Sequence, residues 1–278
     1  FFGYCCPHFL SLPNAMRLEL DDIKFSDEAV AEMTRACQWL YGELRASGAP
    51  ELIFYVGDEL GNDGVKGARY GRELLKALNK VKAQVPGGFT TCISTLGIAD
   101  AREYMNLLDI TIPNSGFPIT KETLAEIKQS GSKLGLYNIG ATRFSYGYYP
   151  WRVGALARAQ WSFTYDGDTA DPYGALPFGA RVSCDCKYTP QWEVLPSIGM
   201  LVQREGVNDY RYIQLLEEKL AAAEKAGKGQ SAACRDGRTV LTELREAIQE
   251  TYLDPANNWD TSTMDYYRWR LARAIMAL

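Results

Sequence analysis

The stretch Leu52-Ile53-Phe54-Tyr55-Val56-Gly57-Asp58-Glu59-Leu60-Gly61-Asn62-Asp63-Gly64 decides how the rest of the chain is read. Its first five residues are apolar or aromatic without alternation, the pattern of a strand buried on both faces, and Gly57 marks its end. Two adjacent carboxylates follow, then a turn-forming Gly-Asn-Asp-Gly and a helical stretch from about Val65 to Val85. In a parallel α/β sheet or barrel the carboxyl ends of strands are where active sites are built. Asp58 and Glu59 are therefore the candidate catalytic pair.

Working outward, Ser26-Asp27-Glu28 is a helix start with Ser26 as N-cap and acids in the first turn. That helix runs through Ala29, Met33, Cys37, Leu40 and Leu44 to Ser47-Gly48. Earlier still, Met16 to Leu20 alternates like a short strand. Beyond the helix at 65–85, Pro86-Gly87-Gly88 breaks the chain and Phe89 to Thr95 reads as the next strand. A short helix near 99–106 leads to a strand at 107–112, which ends at Pro113-Asn114-Ser115-Gly116. Thr120 caps a helix to about Gln129, and Lys133 to Ile139 is a further strand. The aromatic loop at 144–150 opens a helix from Trp151 to Ala159, and Gln160 to Tyr165 is one more strand. Strand and helix alternate at roughly 25 to 40 residues per unit, the signature of βα repeats around a parallel sheet. Residues 166–195, rich in Gly, Pro and Asp, read as a long loop, and three amphipathic helices fill the tail.

The whole chain has 278 residues, 46% hydrophobic and 23% charged, enough for a large core. A net charge of -4 supplies no basic face for nucleic acid, so nucleic-acid partners are not expected. No apolar run approaches the roughly 18 residues of a membrane span. Seven Cys show no paired CxxC spacing; Cys5-Cys6 and Cys184-Asp185-Cys186 read as plain thiols or a local bridge. With one histidine, His8, a Ser-His-Asp triad, a HExxH zinc site and a multi-His metal barrel are poor fits. Neither a metal nor a cofactor is expected, and chemistry has to rest on carboxylates, tyrosines, amides or lysines.

The length fits one α/β barrel or two smaller domains, and a (β/α)8 TIM-type barrel needs about 250 residues. Five strands lie between 51 and 165, and the 50 residues before them are too few for three complete βα units. As a barrel, the chain is expected to lack its first strand or two in this segment, or to supply them irregularly from residues 1–20. Residues 1–205 would form this N-terminally incomplete catalytic barrel, with 206–278 as C-terminal helices packed on it.

Three local matches resemble glycoside hydrolase family 123 and the bacterial proteins sharing its catalytic domain. They are the strand ending in Asp58-Glu59, the run Tyr149-Pro150-Trp151-Arg152 followed by Trp161 to Tyr165, and Pro196-Ser197-Ile198 leading to Arg204-Glu205-Gly206-Val207-Asn208-Asp209-Tyr210. The resemblance implies a glycan or glycoconjugate substrate bearing a terminal β-linked N-acetylhexosamine, N-acetylgalactosamine foremost. It also implies a (β/α)8 barrel and substrate-assisted, retaining hydrolysis without a cofactor. Asp58 would orient the 2-acetamido group, whose oxygen attacks the anomeric carbon, and Glu59 would be general acid and base. A secreted or periplasmic location is implied as well, with no signal in this segment. Leu60 stands where the family commonly has Pro.

Physical sense supports a carboxylate pair independently of the family. Adjacent strand residues point to opposite faces, so both acids reach one ligand only where strand gives way to loop, which Gly57 and the 61–64 turn permit. Close carboxylates also push their pKa values apart, leaving one as acid and one ionised.

Asn114, Tyr137 and Asn138 end predicted strands on the same rim and are candidate substrate-binding residues, although strand-end Asn is also a common turn residue. Trp161 and Tyr165 could wall a sugar ring or belong to the core. Tyr146, Tyr148, Tyr149 and Trp151 form either a mobile lid or a cover over the barrel edge. Arg204, Glu205 and Asp209 read as a structural ion-pair and capping cluster. Asp166, Asp168, Asp171 and Asp185 read as a solvated acidic loop rather than a calcium site. Two rival functions stay open: a glycosidase on a non-acetamido sugar pairing Glu59 with a carboxylate such as Asp166, and a carbohydrate-binding protein without turnover.

Overall fold

A computed structural model describes residues 24–50, 53–160, 186–188, 194–196 and 198–278. These fall into two compact units, one of the residues up to Pro118 with Glu122–Tyr137, the other of Ile119–Lys121 with the residues from Asn138 onward.

The first unit alternates helix and strand: α1 (Asp27–Ala46), β1 (Ile53–Gly57), α2 (Gly64–Lys82), β2 (Thr90–Thr95), α3 (Ile98–Tyr104), β3 (Ile110–Pro113), most of α4 (Lys121–Gln129) and β4 (Lys133–Tyr137). The Ser26 hydroxyl accepts the Ala29 N–H at 3.2 Å, and Asp27 and Glu28 occupy the first turn of α1, as its sequence predicts. Strands β1 to β4 are parallel and ordered as in the chain, with Phe54 beside Thr91, Cys92 beside Ile110 and Ile110 beside Lys133.

The period of two sorts the strand side chains between two faces. Phe54 packs with Val30 and Tyr41 of α1, with Leu74, Leu78 and Val81 of α2, and with Phe89, whose ring stacks on Tyr41 at 5.3 Å. Tyr55 instead joins Cys92 and Ile110 in a separate buried cluster. Each large aliphatic side chain buried this way contributes about 1.5–3 kcal/mol, which is what fixes the register of the strands and hence of the residues at their ends.

The described residues do not form the expected eight-stranded barrel. Among the described residues the βα series has five strands, β1 to β4 and the three-residue β5 (Ala157–Ala159), which lies in the second unit. Among the described residues after β5, the next long element is α7 (Ile198–Lys225), a helix of 28 residues. The strand expected at 16–20 lies outside the described residues. What stands is an α/β fold with a parallel sheet.

Local differences appear in the second unit. The helix expected at 151–159 is replaced by two short ones, α5 (Arg143–Tyr146) and α6 (Tyr148–Val153), the latter closed by Gly154 at φ 67. The expected long loop contains an antiparallel pair, β6 (Cys186–Tyr188) with β7 (Val194–Pro196). Helices α7, α8 (Ala232–Ala247) and α9 (Thr261–Ala277) follow.

The aromatic run is core in this unit and not a lid. The Tyr148 hydroxyl donates to Met264 O at 2.7 Å, that of Tyr149 to Glu250 O at 2.7 Å, and Trp151 Nε1 donates to Glu217 Oε1 at 2.9 Å. Asp209 is fully buried between Arg143, whose Nε lies 2.5 Å from Oδ2, and Arg268, which also donates to Glu205 Oε2 at 2.8 Å. Gly206 lets this happen, because a Cβ there would stand 2.5 Å from Arg143 O and 2.7 Å from Tyr146 Cβ. The run Arg204-Glu205-Gly206 to Asp209 thus owes its form to packing of α7 on α5. No described helix is long and apolar enough to cross a membrane.

Candidate active site

The carboxyl end of β1 is irregular. Tyr55 is beside Cys92 of β2 but Gly57 is beside Ile93, so β1 gains one residue on its neighbour. Two residues later Glu59 adopts φ 47 and ψ 47, a left-handed conformation. For a residue with a Cβ this costs about 1–2 kcal/mol. Together the bulge and the left-handed turn end the strand alternation that would send neighbouring side chains to opposite faces. Both acids are then tied to the edge by partners on β1, on β2, after β3 and in the turn that follows.

Asp58 is exposed, but its Oδ1 is firmly held. It accepts from the Tyr55 hydroxyl at 2.6 Å and from the Ser94 hydroxyl at 2.6 Å, and those two hydroxyls lie 2.7 Å apart. Ser94, buried near the end of β2, also accepts the Glu59 N–H at 3.0 Å. The same N–H reaches Ser94 O at 3.2 Å. One serine therefore joins the side chain of the first acid to the backbone of the second. Asp58 Oδ2 makes no hydrogen bond among the described residues.

Glu59 has both oxygens engaged. Asn114 Nδ2 donates to Oε1, and Asn62 Nδ2 donates to Oε2 at 2.9 Å. Asn114 directly follows β3 and is 2% exposed, with its N–H on Thr95 O at 2.9 Å and its Oδ1 accepting the Ser115 N–H at 2.6 Å. A backbone N–H can only donate, so this bond fixes the Asn114 amide with its NH2 toward Glu59. The turn that carries Asn62 is held close to α3: a Cβ on Gly61 would collide with the Asp100 carboxyl.

Two other reactive groups of this unit are buried, Cys92 and Tyr104. Burial, with a smaller contribution from Asp109, pushes the Cys92 thiol up to about 12, so it stays protonated. Burial also pushes the Tyr104 phenol up to about 12. Among the described residues no group of three His, Cys, Asp or Glu side chains is placed to hold a metal ion.

Of the residues singled out from sequence, Asp58, Glu59 and Asn114 come together. Tyr137 is buried at the end of β4. Asn138 belongs to the second unit, is left-handed at φ 52, and accepts from Gln160 Nε2 at 3.0 Å. Trp161, Tyr165 and Asp166 lie outside the described residues. Sequence reasoning missed Tyr55, Asn62 and Ser94. The available signals were Ser94 as a polar residue near the end of the strand after the pair, and Asn62 three residues past Glu59 in a tight turn. The chain matches no family model, and no curated protein sequence matches it.

Proposed function

We propose that the chain is a glycoside hydrolase acting on a terminal β-linked N-acetylhexosaminide, N-acetylgalactosamine foremost, by substrate-assisted catalysis with retention. The observation that carries this is the left-handed backbone at Glu59, which places two adjacent acids on one sheet edge at a conformational cost for a residue with a Cβ. The local resemblance to glycoside hydrolase family 123 supplies the substrate class.

In this reading Asp58 Oδ1 is anchored by two hydroxyls, and Oδ2 accepts the N–H of the 2-acetamido group. That orients the acetamido oxygen toward the anomeric carbon and offsets the positive charge that develops as it attacks. Glu59 passes a proton to the departing oxygen as the glycosidic bond breaks. A water then attacks the anomeric carbon from the vacated side and gives its proton to Glu59, while the bond to the acetamido oxygen breaks and its electron pair returns to the acetamide. This scheme uses a substrate group in place of an enzymic nucleophile.

The test is release of 4-nitrophenol from the β-N-acetylgalactosaminide and its gluco epimer by the parent, Asp58→Asn and Glu59→Gln. The parent is expected to turn over, with Glu59→Gln down by about 10²–10⁴, the usual worth of a general acid. No release from either substrate by folded protein would refute the proposal. One observation favours the rival reading of a binding protein: both Glu59 oxygens face amide donors, which suits a permanently ionised acceptor. Sugar binding that survives Glu59→Gln, with no turnover by the parent, would select it.

A further inference from the structure

The amides around Glu59 differ in a way that bears on how it would work as an acid. Asn114 is buried and its orientation is locked by the Ser115 N–H, so Oε1 always faces a donor. Asn62 is exposed, its Nδ2 meets Oε2 at 2.9 Å, and its Oδ1 makes no hydrogen bond among the described residues. The terminal torsion of Asn is broad and roughly two-fold, so turning this amide over replaces a donor by an acceptor at the same place.

We propose that Asn114 and Asn62 assign the catalytic proton to Oε2 of Glu59, Asn114 as a fixed donor to Oε1 and Asn62 as a reversible partner of Oε2. This rests on the glycosidase reading above and answers the difficulty that both oxygens face donors. With Glu59 ionised, Asn62 donates through Nδ2. With Glu59 protonated, the O–H lies on Oε2 and Asn62 presents Oδ1 to it. As the bond from the anomeric carbon breaks, its electron pair goes to the departing oxygen, which takes the proton from Oε2, and Asn62 turns back to donate. The attacking water later returns a proton to the same oxygen. Both asparagines act through Glu59 and are positioning residues. Asp58, whose Oδ1 is held by Tyr55 and Ser94, and Asp100 at the start of α3 against Gly61 are unchanged in the variants below.

The experiment measures kcat/KM for the full chain, Asn62→Ala and Asn114→Asp on a series of aryl β-N-acetylgalactosaminides from 2,4-dinitrophenyl to phenyl. Circular dichroism checks the fold of each variant. Asn114→Asp keeps the acceptor for the Ser115 N–H but replaces the donor to Oε1 with an oxygen, which draws the proton away from Oε2. General-acid assistance matters most for poor leaving groups. Asn114→Asp is expected to lose about tenfold or more on phenyl and under threefold on dinitrophenyl, with exposed Asn62→Ala steepening the same dependence by a smaller factor. Equal losses across the series, or Asn114→Asp at the parent's rates, would overturn the assignment while leaving the glycosidase reading intact. A parent that cleaves no member of the series overturns both.

Discussion

The left-handed backbone at Glu59 can be weighed by comparing Glu59→Ala with Glu59→Gly. Both variants delete the carboxylate and lose the same bonds to Asn114 and Asn62. Both keep the backbone bonds of residue 59, its N–H to Ser94 O at 3.2 Å and its carbonyl accepting the Asn62 N–H at 2.8 Å. Their difference therefore isolates the Cβ. At φ 47 and ψ 47 a Cβ costs about 1–2 kcal/mol relative to glycine. Against this, glycine loses more chain entropy on folding, roughly 0.5–1 kcal/mol. The glycine variant should come out more stable by about 0.5–1 kcal/mol, whereas at a regular helix or strand position alanine wins by a similar amount. For a chain of this size that is on the order of 1–4 °C in midpoint, so urea unfolding with a common slope is the better assay. An alanine variant as stable as the glycine variant, or more so, would refute the claim that Glu59 is strained, and with it the observation on which the function rests.

Two further outcomes concern carboxylates outside the site. Asp209→Asn leaves Arg143 and Arg268 facing an uncharged group in a fully buried position, and should cost about 3–5 kcal/mol in urea unfolding; a loss under roughly 1 kcal/mol would refute the structural role. Burial alone would raise the Asp109 carboxyl, but the Lys82 ammonium and the N–H and hydroxyl of Thr91 outweigh it and hold it below the ordinary 3.8. A folded value below the unfolded one stabilises above the unfolded pKa and is lost as pH falls through the folded one. The parent's urea midpoint should therefore drop more steeply than that of Asp109→Asn below about pH 4, and parallel curves would refute the assignment.

The elements themselves were legible where local chemistry decides them. Ser26 as a cap, Gly87 and Gly88 as a break, and strands ending just before Asp58 and Asn114 all depend on neighbours in sequence. Strand number was not legible, because a βα unit looks the same whether the sheet goes on to eight strands or gives way to helices after five. The aromatic run at 144–151 was misjudged for a similar reason. Tyr148 and Tyr149 read as loop residues until Met264 and Glu250, about a hundred positions away, supply their acceptors. At the site the pair and Asn114 could be read, since strand ends carry that signal. Tyr55 could not, because its role depends on a one-residue bulge that no composition marks, and Ser94 offered only its polarity near a strand end.

What separates Asp58 from the structural carboxylates Asp209 and Asp109 is how far its acceptor capacity is used. Asp209 has guanidinium donors on both oxygens and is fully buried, so a ligand would have to break an ion pair to reach it. Asp109 meets the Lys82 ammonium with both oxygens and two Thr91 groups with one of them. Asp58 is built differently: two hydroxyls fix Oδ1, and Oδ2 is left without a hydrogen bond among the described residues on an exposed side chain. Two hydroxyl donors on one oxygen orient a carboxylate without placing a cation beside it, and so leave its charge available to a ligand. A structural role needs no such arrangement, since a single Lys or Arg would hold the group more tightly. A group that must meet an N–H in a set direction needs both the anchored oxygen and the open one.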